Sequence, residues 1–156
     1  MTATATLEVG HTAPEFRLRG PGGQFVSLSE YRGKKNVVVV FFPLAFSPVC
    51  SHQLPDLQKE MRRLEALDAV VLGVSVDSHY ANEAFARQLG LSFPLLSDFD
   101  RATSQAWGML IPDKLYSGRA VFVIDKQGRI AYRDVAPTPA EIPSNAAVLT
   151  ALERLK

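Results

Sequence analysis

One cysteine, Cys50, serves a chain of 156 residues. That scarcity excludes an intramolecular disulfide framework and any zinc site built on several thiolates. The three histidines, His11, His52 and His79, are dispersed, with no His-x-x-x-His or Cys/His cluster, so neither a metal nor another cofactor is expected. Charge of one sign is also lacking: 17 basic residues stand against 16 acidic ones, a net of +1, and the two kinds alternate along the chain. Nothing there neutralises a phosphate backbone, so nucleic acid is not an expected partner. The longest apolar run, Val37 to Phe46, is interrupted by Pro43 and is shorter than the ~20 residues a membrane helix needs. No membrane association is expected. The opening "MTATATLEVGHTAPEF" has no basic n-region and no apolar h-region, which reads against secretion. A reducing cytoplasm is the expected setting.

Apolar residues make up 47% and charged residues 21%, proportions of a globular chain, and the length is that of one domain spanning residues 1–156. After a flexible opening, "EFRLRGPGGQFVSLSEY" reads as two short strands around a Gly-Pro-Gly-Gly turn. Ser29 to Gly33 suits a single helical turn closed by glycine. "NVVVVFF" is apolar on both faces, as a strand covered by helices on each side would be. Leu54, Leu57, Met61 and Leu64 then recur at helical steps. A second apolar strand, "AVVLGVSVD", precedes a helix capped by Ser78 and stopped by Gly90. "SFPLLSD" reads as a short strand, "RATSQAWG" as a short helix ending at Gly108, and "RAVFVID-KQG-RIAYRD" as a hairpin turning at Asp125 to Gly128. Beyond the Pro-rich "APTPAEIP", Ser144 caps a last helix with Val148, Leu149, Leu152 and Leu155 on one face. Strands alternating with helices, then pairing as a hairpin, imply an α/β fold with a central mixed sheet flanked by helices.

The thiol lies where chemistry is favoured. A strand ends at Pro43 and Pro48 precedes the predicted helix, which places Cys50 in its first turn among unpaired backbone N–H groups. Such a position favours the thiolate, the nucleophilic form. A small buried hydrophobe is the alternative reading of an isolated cysteine. Ser47, three residues earlier, either caps the helix or offers a hydroxyl to a polar ligand at the sulfur. The spacing Ser47-Pro48-Val49-Cys50 is a Cys-x-x-Cys with one thiol missing, so the chain cannot cycle alone as a dithiol oxidoreductase.

The pattern Pro43-(Leu-Ala-Phe)-Ser47-(Pro-Val)-Cys50 resembles the peroxiredoxin motif Pro-x-x-x-Thr/Ser-x-x-Cys. The blocks "GHTAPEFRL", "VSLSEYRGKKNVVVVFFPLAF", "VVLGVSVDS", "FPLLSDFD", "AWGM" and "RAVFVID" fall in the order that family shows, from about Gly10 to about Tyr132. The likeness is greatest to the one-cysteine branch of the alkyl hydroperoxide reductase E type. It implies a thioredoxin-like fold with an N-terminal β-hairpin extension, and a thiol peroxidase that reduces hydrogen peroxide and organic hydroperoxides. In that scheme Cys50 attacks the peroxide and becomes a sulfenic acid. Arg119, in "SGRAVFVID", holds thiolate and peroxide oxygens; Ser47 hydrogen-bonds the peroxide; Pro43 packs over the sulfur and limits water. By position alone Arg119 would also serve as a surface ion-pair residue, and Pro43 simply as a strand terminator.

Departures from the pattern sharpen the expectation. Pro55 stands five residues after Cys50, where some relatives carry a resolving cysteine, and the C-terminal "ALERLK" has none either. An external thiol or a redoxin must therefore supply the reductant, and a homodimer is the assembly the resemblance implies. Gln53 stands where many relatives have Glu, which alters the hydrogen bonding of the first turn. Pro55 can either ease or restrict the local unwinding by which relatives expose the sulfenic acid. His52 is expected to be solvated. Trp107, Phe99 and Met109 suit an apolar rim for organic peroxides or, equally, core or dimer packing. A thioredoxin-fold thiol transferase and a non-catalytic interaction module with a structural Cys50 are the competing functional readings.

Overall fold

A computed structural model describes residues 7–138 and 140–156; the first six residues of the opening segment lie outside it. Nine strands and five helices follow one another along the described residues. They are β1 (Arg17–Arg19), β2 (Phe25–Ser27), β3 (Asn36–Phe41), α1 (Cys50–Gln58), α2 (Met61–Ala66), β4 (Ala69–Ser75), α3 (His79–Leu89), β5 (Leu95–Ser97), α4 (Ala102–Ala106), β6 (Leu110–Ile111), β7 (Tyr116–Ser117), β8 (Ala120–Ile124), β9 (Ile130–Val135) and α5 (Asn145–Glu153). Seven strands form one sheet in the order β2-β1-β5-β4-β3-β8-β9, and β6 pairs with β7 apart from it. The centre, β3-β4-β5, is parallel, while β8 runs antiparallel beside β3 and β9 antiparallel beside β8. This mixed sheet is the thioredoxin-like arrangement. The β1–β2 hairpin extends it by pairing Arg19 with Ser97 of β5.

β3 explains why its sequence is apolar throughout. Val38 and Val40, with Phe42 just beyond the strand, face a core built with α1, α2, α3 and α5. Val37, Val39 and Phe41 face the opposite core, made with the N-terminal segment, Leu28 and the Trp107–Met109 stretch after α4. Helices thus dominate one face, while much of the other is covered by irregular segments. β4 tolerates Gly73 for a packing reason: a Cβ there would lie 2.5 Å from Leu95 Cδ2 of β5.

Local signals act as expected at most ends. Ser78 and Ser144 accept from Ala81 and Ala147 N–H, each at 3.2 Å. Gly90 closes α3 in the left-handed region at φ +67°. The Asp125 carboxylate accepts from the N–H groups of Gln127 and Arg129, fixing the β8–β9 turn. The predicted turn near Ser29 is a 3-10 turn over Leu28–Tyr31. Two expectations are corrected. The Leu54–Leu64 periodicity is divided between α1 and α2, because Glu60 N–H bonds the Leu57 carbonyl three residues back instead of continuing the helix. Leu155 lies beyond α5 and is exposed, leaving Val148, Leu149 and Leu152 as the buried face.

Candidate active site

β3 delivers the chain to the site. Phe42 N–H still bonds Val74 O in β4, and Pro43, which has no N–H, ends the ladder. The segment 43–49 then turns back. Ser47 N–H and Oγ both donate to Leu44 O, and Phe46 adopts φ +67° with its ring 4.9 Å from that of Phe85 in α3. Val49 already has helical angles, φ −68° and ψ −40°, and Cys50 follows as the first residue of α1, within the expected turn.

Arg119 is 69 positions away in sequence, and sheet register brings it to the thiol. β8 pairs with β3 so that Ala120 stands opposite Phe41, which sets the residue before Ala120 beside the mouth of α1. The backbone around it is tied down: Arg119 O accepts from Ala136 N–H, and Ser117 Oγ donates to Phe42 O immediately before Pro43. Arg119 Nη1 donates to Cys50 Sγ at 3.2 Å and to Gln53 Oε1 at 2.6 Å. Cys50 is 0% exposed, Arg119 1% and Gln53 2%. A guanidinium presents several N–H donors in a fixed plane, and here one nitrogen serves both the sulfur and the neighbouring amide oxygen. Its burial excludes the surface ion-pair reading.

Pro43, Ser47 and Arg119 line one pocket of about 260 Å³ with Leu44, Pro48, Val49, Tyr116 and Ala140. Cys50 lies behind this wall, bonded to Arg119. All four residues singled out in the sequence therefore converge. Ser47 Oγ spends its hydrogen on Leu44 O, so in this conformation its oxygen can accept from a ligand hydroxyl. The space suits a small molecule or the reacting end of a larger one.

Other candidates separate from the site. Trp107 and Met109 belong to the core on the opposite sheet face from Cys50, with the indole 5.5 Å from the Phe41 ring and 5.1 Å from that of Phe122. Phe99 is exposed and borders a different hollow with Arg17, Arg19 and Phe25. These three residues do not form a rim at the thiol. His52 is exposed, as expected. Sequence reading missed Tyr116 and Ser117, which carry no local signal, and Asp77, whose carboxylate holds Ala45 N–H at 2.8 Å. The place of Asp77, at the end of a parallel strand next to β3, is where α/β sheets gather functional groups.

A lone thiol at a helix mouth, sharing a buried guanidinium with a neighbouring amide behind a small pocket, defines a thiol-dependent peroxidase on a thioredoxin-like fold. The comparisons agree and narrow the class. Residues 9–133 match the model of the AhpC/TSA family, and the chain belongs to that family, the peroxiredoxins. It is 41% identical over 138 residues to alkyl hydroperoxide reductase E of Mycobacterium tuberculosis, covering 87% of this chain and 90% of the relative. It is 36% identical over 137 residues to the chloroplastic 2-Cys peroxiredoxin BAS1 of Arabidopsis thaliana, covering 81% of this chain and 52% of that one. Among solved structures, a peroxiredoxin-like protein from Aquifex aeolicus superposes with TM-score 0.90 at 26% identity, covering 99% of this chain and 91% of its own. Mycobacterium tuberculosis AhpC does so with TM-score 0.86 at 30% identity, covering 97% and 94%. With a single cysteine, the chain fits the one-cysteine type. No helix among the described residues is long and apolar enough to cross a membrane.

Proposed function

We propose that Cys50 is the peroxidatic residue of a one-domain enzyme, residues 1–156, that reduces hydrogen peroxide and organic hydroperoxides. The observation that carries this reading is the 3.2 Å contact between Arg119 Nη1 and the buried Cys50 Sγ, beside the pocket that Pro43 and Ser47 also line. The thiolate's electron pair forms an S–O bond to the terminal oxygen of the hydroperoxide as the O–O bond breaks. The hydroxyl passes to sulfur as a sulfenic acid, and the departing alkoxide or hydroxide takes a proton from water. Arg119 stabilises charge on thiolate and leaving oxygen, Ser47 accepts from the peroxide hydroxyl, and Pro43 keeps water from the sulfur.

An external thiol or redoxin then attacks the sulfenic acid, releasing water and forming a mixed disulfide. A second thiol breaks that disulfide and restores Cys50. A cytoplasmic setting, where such thiols abound, suits this cycle. A homodimer is supported by the family resemblance and by Leu44 and Phe46, which stand exposed beside the pocket.

Stopped-flow mixing with hydrogen peroxide tests the reading. One thiol per chain is expected to disappear far faster than free cysteine reacts, yielding a dimedone-trappable sulfenate that Cys50→Ser abolishes while keeping the fold. A thiol no faster than free cysteine refutes the peroxidase; one that exchanges with small disulfides yet ignores peroxide marks a thiol transferase.

A further inference from the structure

Among the described residues, the segment that forms the pocket wall donates one backbone hydrogen bond to the body of the sheet. Between Pro43 and Ser47, Ala45 has the one backbone N–H that bonds another element among the described residues, and its acceptor is Asp77 Oδ2 at 2.8 Å. Its other bonds are local in sequence: Ser47 N–H and Oγ donate to Leu44 O, and the Ser47 carbonyl accepts from Ser51 N–H and Oγ at the start of α1. Between them lies Phe46 at φ +67°, a conformation that costs a non-glycine residue about 1 kcal/mol or more and persists only where its surroundings enforce it. Its ring rests on Phe85, the Ser51 bonds to Ser47 O fix the chain after it, and the Ala45–Asp77 bond fixes the chain before it.

Asp77 is itself anchored. Ser75 Oγ lies 2.8 Å from Asp77 Oδ2 and 3.0 Å from Asn82 Oδ1, and Asn82 Nδ2 donates to Leu96 O at 3.2 Å. Ser97 Oγ donates to the Asp77 carbonyl at 2.6 Å. Ser75 and Asn82 are fully buried. The carboxylate is thus held by Ser75 of β4, the Asp77 backbone by Ser97 of β5, and Ser75 in turn meets Asn82 of α3, so the pocket wall is tied to the body of the fold.

Resting on the peroxidase reading above, we propose that Asp77 is a positioning residue for peroxide attack. By gripping Ala45 N–H it sets Pro43 and Ser47 where a peroxide must lie in line with the sulfur. It touches neither sulfur nor substrate. Without it the strained turn relaxes, and the pocket spends only part of its time in the attacking geometry.

The test compares Asp77→Ala, Asp77→Asn and Ser75→Ala with the unmodified enzyme, by stopped-flow oxidation with hydrogen peroxide and by alkylation with iodoacetamide. Alkylation needs the thiolate but not the oriented peroxide. A hydrogen bond to a charged group supports a loss of roughly 10- to 100-fold in the peroxide rate for Asp77→Ala. Alkylation is expected to hold or rise. Asp77→Asn, whose amide oxygen still accepts from Ala45 N–H, should recover most of the peroxide rate, and Ser75→Ala should show a smaller loss of the same kind. If Asp77→Ala does not fold, the other two variants decide. A peroxide rate that is unchanged in every folded variant, or that falls in step with alkylation, overturns the proposal. An unmodified enzyme that ignores peroxide overturns the peroxidase reading instead, so the two failures are distinguishable.

Discussion

Replacing Arg119 probes the contact on which the chemistry turns. The guanidinium nitrogen lies 3.2 Å from Cys50 Sγ. At an effective dielectric constant of ~20, unit charges at that separation attract by about 5 kcal/mol. Were all of this lost only from the transition state, the rate would fall nearly 10⁴-fold. On the proposed mechanism only part of it is, because Arg119 would also stabilise the thiolate before reaction, and only the additional stabilisation gained as charge moves to the leaving oxygen accelerates attack. Removing one preorganised donor of this kind costs roughly 10²- to 10³-fold, the fall expected for Arg119→Ala. Arg119→Lys keeps the charge but not the planar fork that reaches sulfur and Gln53 Oε1 from one nitrogen, and should lie between the two.

The assay is the second-order rate of sulfenate formation at neutral pH, with circular dichroism to verify folding. Oxidation of folded Arg119→Ala at the unmodified rate would refute the reasoning, since a guanidinium this close to sulfur could then contribute nothing to peroxide cleavage. Arg119→Lys no better than Arg119→Ala would show that the fork, not the charge, is what matters.

Gln53→Leu leaves a buried guanidinium without its 2.6 Å acceptor. It should lower unfolding free energy by about 2 kcal/mol in urea titration and slow peroxide attack less than Arg119→Ala does; unaltered stability would count against the bond. Asp68 lies between Lys126 and Lys35, whose hydrogen bonds hold its carboxyl down to about 2 from an ordinary 3.8. Its folded value is depressed, so its stabilisation is present above pH 3.8 and lost as the pH falls toward 2. The stability gap between the unmodified protein and Asp68→Asn should close over that window in acid titrations, and a gap constant from pH 5 to ~2 would exclude this linkage.

What sequence disclosed and what it withheld divide along physical lines. Caps, turns and the burial of β3 are local, and Ser78, Ser144, the Asp125 turn and the "VVVV" run announced them correctly. The first-turn position of Cys50 followed from the two prolines before it, Pro43 ending a strand and Pro48 preceding a helix. That Arg119 reaches the sulfur depends on the pairing of β3 with β8, a register no local pattern states, and came only through family resemblance. The grip of Asp77 on Ala45 likewise needs two adjacent parallel strands. Trp107 was ambiguous because an aromatic residue near a glycine suits either a rim or a core. Its place was decided by the sheet face it packs on.

The same burial that closes the sulfur off from solvent creates a difficulty for the second half of the cycle. A reducing thiol must approach the oxidised sulfur in line with the S–O bond, and Cys50 is 0% exposed. The first turn of α1, held by Ser51 N–H and Oγ on the Ser47 carbonyl and by Arg119 on Gln53, must therefore give way. Val49 supplies no side-chain cap. Pro55, within the helix, has no N–H to offer the Ser51 carbonyl. At nine residues α1 is below the ~12–15 at which an isolated helix persists, so it depends on Cys50, Leu54 and Leu57 packing into the core. Oxidation weakens that dependence at one end: a neutral sulfenic acid accepts from Arg119 less strongly than a thiolate does. The closed site serves the peroxide, the opened turn serves an external thiol, and a chain with one cysteine requires both.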